Sequence, residues 1–207
     1  MKRPLDLAAW PRREHFGFFR HFSEPFFGVT VELRCEGLYR AARDRSASFY
    51  LAYLHATLQA VNAVDALALR IEGDTVWQHD RVDVSATVHR DDGTFGFSYI
   101  PYDADFDLFS EHARAEIARV RSTSGLAVPQ VDAAVVHASA VPWLQFTALS
   151  HARQHNTDDA SPKIAFGKLF QRHGARHLPI SIHVHHAVAD GLHVGQVVDD
   201  LQRRLDP

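Results

Sequence analysis

The residues Leu178-Pro179-Ile180-Ser181-Ile182-His183-Val184 place apolar side chains at alternate positions, the period of a β-strand buried on one face. They run directly into His185-His186-Ala187-Val188-Ala189-Asp190-Gly191, and then into Leu192–Leu205, where Val194, Val197, Val198, Leu201 and Leu205 recur at helical spacing. A strand therefore gives way to a helix across one short turn. That turn holds a histidine, His186, with a carboxylate four residues on and Gly191 after it. A side chain at such a junction is well placed for chemistry.

The rest of the chain supplies a sheet and helices to go with this ending. Phe27, Val29, Val31, Leu33 and Cys35 alternate with smaller or polar residues and predict a half-buried strand. Arg12–Phe22 can form a helix, Gly37–Arg45 a short one, and Ser46 or Ser48 can cap a longer one through Val64 that is apolar on most sides. Ala68–Ile71, Thr75–Gln78, Arg81–His89 and Thr94–Ile100 read as short strands joined by Glu72-Gly73-Asp74 and Asp91-Asp92-Gly93 turns, hence as hairpins. Asp105 or Asp107 can cap a helix with Phe106, Phe109, Ala113, Ile117 and Val120 inward. Ala133–Leu149 is strand-rich and broken by Pro142, Ser150–Ser161 is a polar loop, and Lys163–Phe170 is the strand before the last. This order predicts one α/β domain over residues 1–207: a two-layer sandwich of a mixed, largely antiparallel sheet covered by helices.

Composition narrows the function classes. A formal charge of -3 on 207 residues gives no electrostatic case for nucleic acid or for a membrane surface. No apolar run reaches bilayer length, and the N-terminus lacks an uninterrupted apolar core of the kind a signal peptide needs. Cys35 is the only cysteine, so no intrachain disulfide can form; it is expected in the core, and a reducing cytoplasmic setting follows. Most of the 15 histidines, such as His112, His151 and His155, are expected on exposed helices and loops. Period two puts His183 and His185 on the face opposite His186, which makes a three-histidine metal site awkward; two histidines with His193 or His177 are the remaining arrangement, and no metal is expected.

The extended motif His185-His186-Ala187-Val188-Ala189-Asp190-Gly191-Leu192-His193-Val194-Gly195 resembles the signature of the chloramphenicol acetyltransferase family. Further landmarks stand in order along nearly the whole chain: Trp10-Pro11-Arg12-Arg13-Glu14-His15-Phe16, Val76-Trp77, Thr94-Phe95, Pro101-Tyr102, Pro142-Trp143 and Leu178-Pro179. The resemblance implies a homotrimer whose sheet extends across subunit contacts, with active sites between subunits. It also implies acetyl-CoA as co-substrate and no permanently bound cofactor. The acceptor would be a small apolar alcohol such as chloramphenicol. By the same resemblance His186 is the general base, Asp190 is a structural carboxylate paired with Arg12, and Phe19 and Phe95 line the acceptor pocket. The chemistry is consistent, because a neutral imidazole with a pKa of about 6.5 can take a hydroxyl proton and pass it to a leaving thiolate. On spacing alone, Asp190 could orient His186 directly or pair with Arg12. Gly191 allows close backbone approach or an unusual φ.

The departures from the family pattern are specific. Where the family usually places an oxyanion-binding serine after its Pro-Trp, the chain reads Pro142-Trp143-Leu144-Gln145-Phe146-Thr147-Ala148. Ala165 stands at a family threonine, and Lys168-Leu169 at a Lys-Tyr pair facing CoA. Gln145 and Phe19 point to a changed acceptor pocket. Losing one oxyanion donor costs roughly 2.7–4 kcal/mol of barrier in other acyl-transfer enzymes, so acetyl transfer is expected to be slow unless Thr147, Ser150 or a water substitutes. The competing expectation is a divergent member that uses the cleft for other base or cyclisation chemistry, or for binding a small molecule.

Overall fold

The computed structural model describes residues 1–128, 134–153 and 158–207. In chain order its elements are β1 (Lys2–Pro4), α1 (Arg13–Phe19), β2 (Phe26–Arg34), α2 (Glu36–Asp44), α3 (Phe49–Asn62), β3 (Leu69–Glu72), β4 (Thr75–His79), β5 (Val82–His89), β6 (Phe95–Phe97), α4 (Phe106–Ser122), β7 (Ala134–Ala140), β8 (Lys163–Phe166), β9 (Phe170–Arg172), β10 (Ala175–His185) and α5 (Gly191–Leu205). Seven strands form one sheet in the order β2-β10-β8-β7-β5-β6, with β9 also on β10, while β1-β4-β3 form a second, small sheet. The α/β class with a mixed, largely antiparallel sheet is as expected, since among the described residues only the β5–β7 and β7–β8 pairings are parallel.

Alternation sorts the large sheet into two unlike faces. Val84, Val136, Ile164, Ile180 and Ile182 point to one side, where they form a single buried cluster with Leu54 and Leu58 of α3, Phe109 of α4 and Val197 and Leu201 of α5. Burial of these apolar side chains is the main favourable term holding the layers together. The other face carries Ser85, Thr87, His137, Ser139, Lys163, Ser181, His183 and His185 at the intervening positions. Among the described residues, the buried core residues of α3, α4 and α5 gather in the cluster on the first side. A second cluster gathers Phe16, Leu69, Ile71, Val76, Ala187 and Val188, with Leu5, Leu7, Trp10 and Phe19 against it. The N-terminal segment and the small sheet thus wrap the turn that follows β10.

Capping settles where several helices start. Ser48, not Ser46, caps α3 by accepting from Leu51 N, and Asp105, not Asp107, caps α4 by accepting from Asp107 N and Leu108 N. Cys35 is fully buried and free, and burial first, then the neighbouring Glu36 and Asp206, pushes its thiol up to about 12. It is an inert core residue, as expected.

Several expectations need correction. The helix expected over Arg12–Phe22 is only Arg13–Phe19, with Phe16 its single buried residue. The strand expected over Lys163–Phe170 is two, β8 and β9. At the break, Lys168 N bonds Leu144 O at 2.8 Å, and the Gly167 backbone lies so close to Leu144 O and Phe146 that a Cβ there would stand 3.0 Å from each. These contacts draw the chain out of the ladder. The hairpin reading missed both parallel pairings: α4 lies between β6 and β7, and long crossovers of this kind leave no turn signal. Of Ala133–Leu149, Ala134–Ala140 is strand and the remainder after Pro142 is irregular; Ala133 and His155 lie outside the described residues. Thr94–Ile100 retains three strand residues and an isolated Val84–Ile100 bridge. His112 is exposed as expected, but His151 is half-buried, with its Nε2 shielded from solvent.

On the open face Gly28 of β2 pairs with His183 of β10, and a Cβ on Gly28 would stand 2.3–2.5 Å from the imidazole. The ring lies over the glycine and holds Leu149 O through Nε2 at 2.9 Å. Gly28→Ala is expected to displace the ring and cost about 1–3 kcal/mol. Adding His183→Ala should recover most of that loss in urea unfolding; a double variant no more stable than Gly28→Ala would refute this account of the glycine.

Candidate active site at the strand-to-helix junction

The ladder between β2 and β10 runs to His185↔Phe26 and is closed by His186 N donating to Pro25 O at 2.8 Å. Here the two histidines part. His185 meets Phe26 edge-to-face at 5.4 Å, while His186 stacks on Phe19 at 4.0 Å and tilts against Phe27 at 4.8 Å. Since Phe26 and Phe27 are on opposite faces of β2, His186 leaves the sheet on the side away from His183 and His185, as period two requires.

His186 Nδ1 lies 3.2 Å from the carbonyl oxygen of Ala189. A carbonyl can only accept, so Nδ1 carries the proton and the neutral ring presents Nε2 as a bare base. Nε2 has no hydrogen-bond partner among the described residues. His185 is fixed the other way: its Nδ1 accepts from Ala187 N at 3.2 Å, and burial lowers its pKa to about 4. Of the two adjacent histidines, His186 is the one presented for proton transfer.

Asp190 does not orient the ring directly. Its carboxylate pairs with Arg12, accepts from Leu192 N at 3.0 Å as the N-cap of α5, and lies 2.8 Å from His193 Nδ1. Burial alone would raise its pKa, but the Arg12 hydrogen bond and charge, with lesser help from His193, hold it at about 2. Arg12 also reaches His186 O at 3.5 Å. The pair therefore ties the N-terminal segment to both ends of the turn. Gly191 shows neither expected feature: its φ is not left-handed, and an added Cβ would meet open space.

The remaining expected residues lie elsewhere. Gln145, Thr147, Ala148 and Ser150 are exposed on the segment after β7, and Lys168 is exposed beyond β8. Backbone bonds Leu144 N to Val141 O and Lys168 N to Leu144 O pin one end of that segment to the β8 terminus, and His183 holds Leu149 O at the other. Neither Thr147 nor Ser150 is folded into a hydrogen bond that would aim it inward. Ala165 is fully buried between Ser139 and Ser181 in the ladder, and the Ser181 hydroxyl is left with no hydrogen-bond partner. Phe95 is on the far side of the open face, where it lines a cavity of about 690 Å³.

That cavity includes polar residues the sequence reading did not single out, among them His137, His151, Arg153 and Lys163. Only strand parity could have shown His137 and Lys163 to share a face; Arg153 and His151 reach it from an irregular segment, for which no periodic signal exists. His186 and Phe19 do not line it. Within one chain the base and the cavity are on opposite sides of the β10 terminus. Among the described residues no group of three or more histidine, cysteine or carboxylate side chains could hold a metal ion.

A family model described as chloramphenicol acetyltransferase matches residues 2–202. Chloramphenicol acetyltransferase 3 of Escherichia coli is 34% identical over 201 residues, covering 96% of this chain and 94% of its own length. The chloramphenicol acetyltransferase of Streptomyces acrimycini is 31% identical over 210 residues, covering 99% and 94%. A solved chloramphenicol acetyltransferase structure, 30% identical, superposes with a TM-score of 0.87 and covers 100% of both chains. With the fold, the junction and the whole-length match in agreement, the chain belongs to the chloramphenicol acetyltransferase family.

Proposed function

We propose that this protein transfers an acetyl group from acetyl-CoA to a hydroxyl of a small acceptor such as chloramphenicol, with His186 as general base. The observation that carries the reading is the His186 tautomer, in which Nδ1 is committed to Ala189 O and Nε2 is bare. Nε2 takes the hydroxyl proton as the acceptor oxygen attacks the thioester carbonyl. The tetrahedral intermediate then collapses, the carbon–sulfur bond breaks, and Nε2–H returns the proton to the departing thiolate. Arg12 and Asp190 act as positioning residues, holding the turn that carries the ring.

On this reading the acceptor side of the site is the cavity with Phe95; Gln145, Ala148 and Ala165 keep the substrate-side roles that the resemblance implies, and Phe19 serves beside His186 rather than in that cavity. Since His186 leaves the other side of its own sheet, this reading has the cavity of one copy meet His186 of the next in a homotrimer. Lys168, exposed beyond β8, is the residue this reading assigns to CoA. The protein is proposed to work in the cytoplasm as a single domain without a resident cofactor; no described helix is long and apolar enough to cross a membrane.

A second reading, chemistry other than acetyl transfer or binding without turnover, is favoured by one observation. Ala148 and Ala165 stand where the resemblance implies hydroxyl groups on the oxyanion side, and neither alanine can donate a hydrogen bond.

Thiol release from acetyl-CoA with chloramphenicol and a panel of alcohols should exceed that of a His186→Ala control; rates equal to the control would sink the acetyl-transfer reading. Ala148→Ser should raise kcat by roughly 10²–10³-fold. An unchanged kcat in that variant would instead favour the second reading. Asp190→Asn tests the positioning pair through pH. Because the carboxyl is held low, its contribution is fully present above about pH 4 and is lost as pH falls towards 2. The stability difference between wild type and Asp190→Asn should be about 1 kcal/mol at pH 7 and shrink by pH 3. A difference independent of pH would argue against the ion pair.

A further inference from the structure

The cavity on the open face of the sheet has two unlike ends. One is aromatic and aliphatic, with Phe95 and Phe97 edge-to-face at 5.6 Å and Val128 beside them. The other is built from His137, His151, Arg153, Asp159 and Lys163. The Asp159 carboxylate there is engaged by Lys163 and by the Ser161 backbone, while Arg153 Nε and His151 Nε2 have no partner among the described residues.

Lys163, almost fully buried, donates to the Asp159 carboxylate at 2.6 Å and to Ser161 O at 3.3 Å, which leaves its third proton for another partner. Arg153 is paired with Glu24 through Nη2 at 3.0 Å. Its Nη1 donates to His183 Nδ1 at 3.2 Å, and that nitrogen is an acceptor because His183 Nε2 gives its proton to Leu149 O. Arg153 Nε and His151 Nε2, behind the cavity wall, have no partner. His137 stands beside Lys163 across the β7–β8 pairing, exposed, with no hydrogen bond from either ring nitrogen among the described residues.

The carboxylates of Glu24 and Asp159 are each engaged by a cation, Arg153 and Lys163, and by a backbone N–H, of Phe26 and Ser161. Partial desolvation, then the Lys163 charge, favours the uncharged form of His137, and burial, then the His183 and Lys163 charges, that of His151. The imidazoles can therefore donate N–H groups without adding positive charge beside Lys163. Both cations also lie over the Phe26 ring, Lys163 Nζ at 4.9 Å and the Arg153 guanidinium at 5.2 Å, which keeps them at the cavity wall. The donors left unpaired at the polar end call for an oxygen acceptor supplied from outside.

We propose that the acceptor molecule carries a carboxylate, or an equivalent anionic oxygen group, that docks against Lys163 and His137 while its apolar body lies against Phe95 and Phe97. This goes beyond the apolar acceptor expected from the resemblance. It rests on the acetyl-transfer reading only for identifying this cavity as the acceptor side of the site.

The test is calorimetric binding of two probes with the same ring and hydroxyl group, para-hydroxymethylbenzoate and para-methylbenzyl alcohol, to the full-length protein. Wild type should bind the benzoate at least roughly tenfold more tightly, the yield of one charge-assisted hydrogen bond. The preference should fall to near one in Lys163→Met and by roughly threefold in His137→Leu. Equal affinities in wild type, or a preference unchanged in both variants, would overturn the assignment. If Lys163→Met leaves Asp159 unpaired and fails to fold, His137→Leu decides, since His137 holds nothing else in place. Thiol release measured in parallel separates the two claims: a carboxylate preference without acetyl transfer sinks the reaction and leaves the binding site standing, and acetyl transfer without the preference does the reverse.

Discussion

The ion pair between Arg12 and Asp190 is the contact on which the functional end of this molecule depends. Asp190 caps α5, Arg12 stands at the start of α1, and their sequence separation means that the pair closes the chain nearly end to end. Around it, Phe16, Ala187 and Val188 exclude water, and Phe19 stacks on His186. The turn thus has an apolar seat on one side and a charged tie on the other. Within that frame a single backbone carbonyl, Ala189 O, determines which imidazole nitrogen is free. A carboxylate often orients an imidazole; here the carboxylate holds the turn and the turn's own backbone holds the ring.

The large sheet divides its labour by face. The helix-covered side is uniformly apolar and supplies stability, while the open side bears hydroxyls, imidazoles and two ion pairs. Ion pairs with one buried partner are poor sources of stability, because desolvation of that partner offsets much of the attraction. Lys163–Asp159 and Arg153–Glu24 are better understood as a prepared polar surface. Its geometry is costly to disturb: Gly28 has no room for a Cβ because His183 occupies the space.

Much of the site was legible because strand and helix periods are local properties. His183-Val184-His185-His186 could be assigned to faces by parity, the helix after Gly191 by apolar spacing, and the resemblance supplied Arg12 as the partner of Asp190. What the sequence did not reveal came from long-range closure. The parallel pairings through β7, the separate β1-β4-β3 sheet and the break at Gly167 all depend on contacts between distant segments. The polar cavity was missed for the same reason, since Arg153 and His151 reach it from an irregular segment without any period. Gly191 is the opposite lesson: its motif position suggested a backbone constraint, and within one chain none exists.

The account stands or falls on His186 Nε2 being the free base of the site. Nitrogen NMR of the protein labelled with ¹⁵N-histidine, with His186 assigned by comparison with His186→Ala, reads the ring tautomer at neutral pH without knowledge of the acceptor. The account predicts a proton on Nδ1 and none on Nε2. A ring protonated on Nε2 with Nδ1 bare would contradict it.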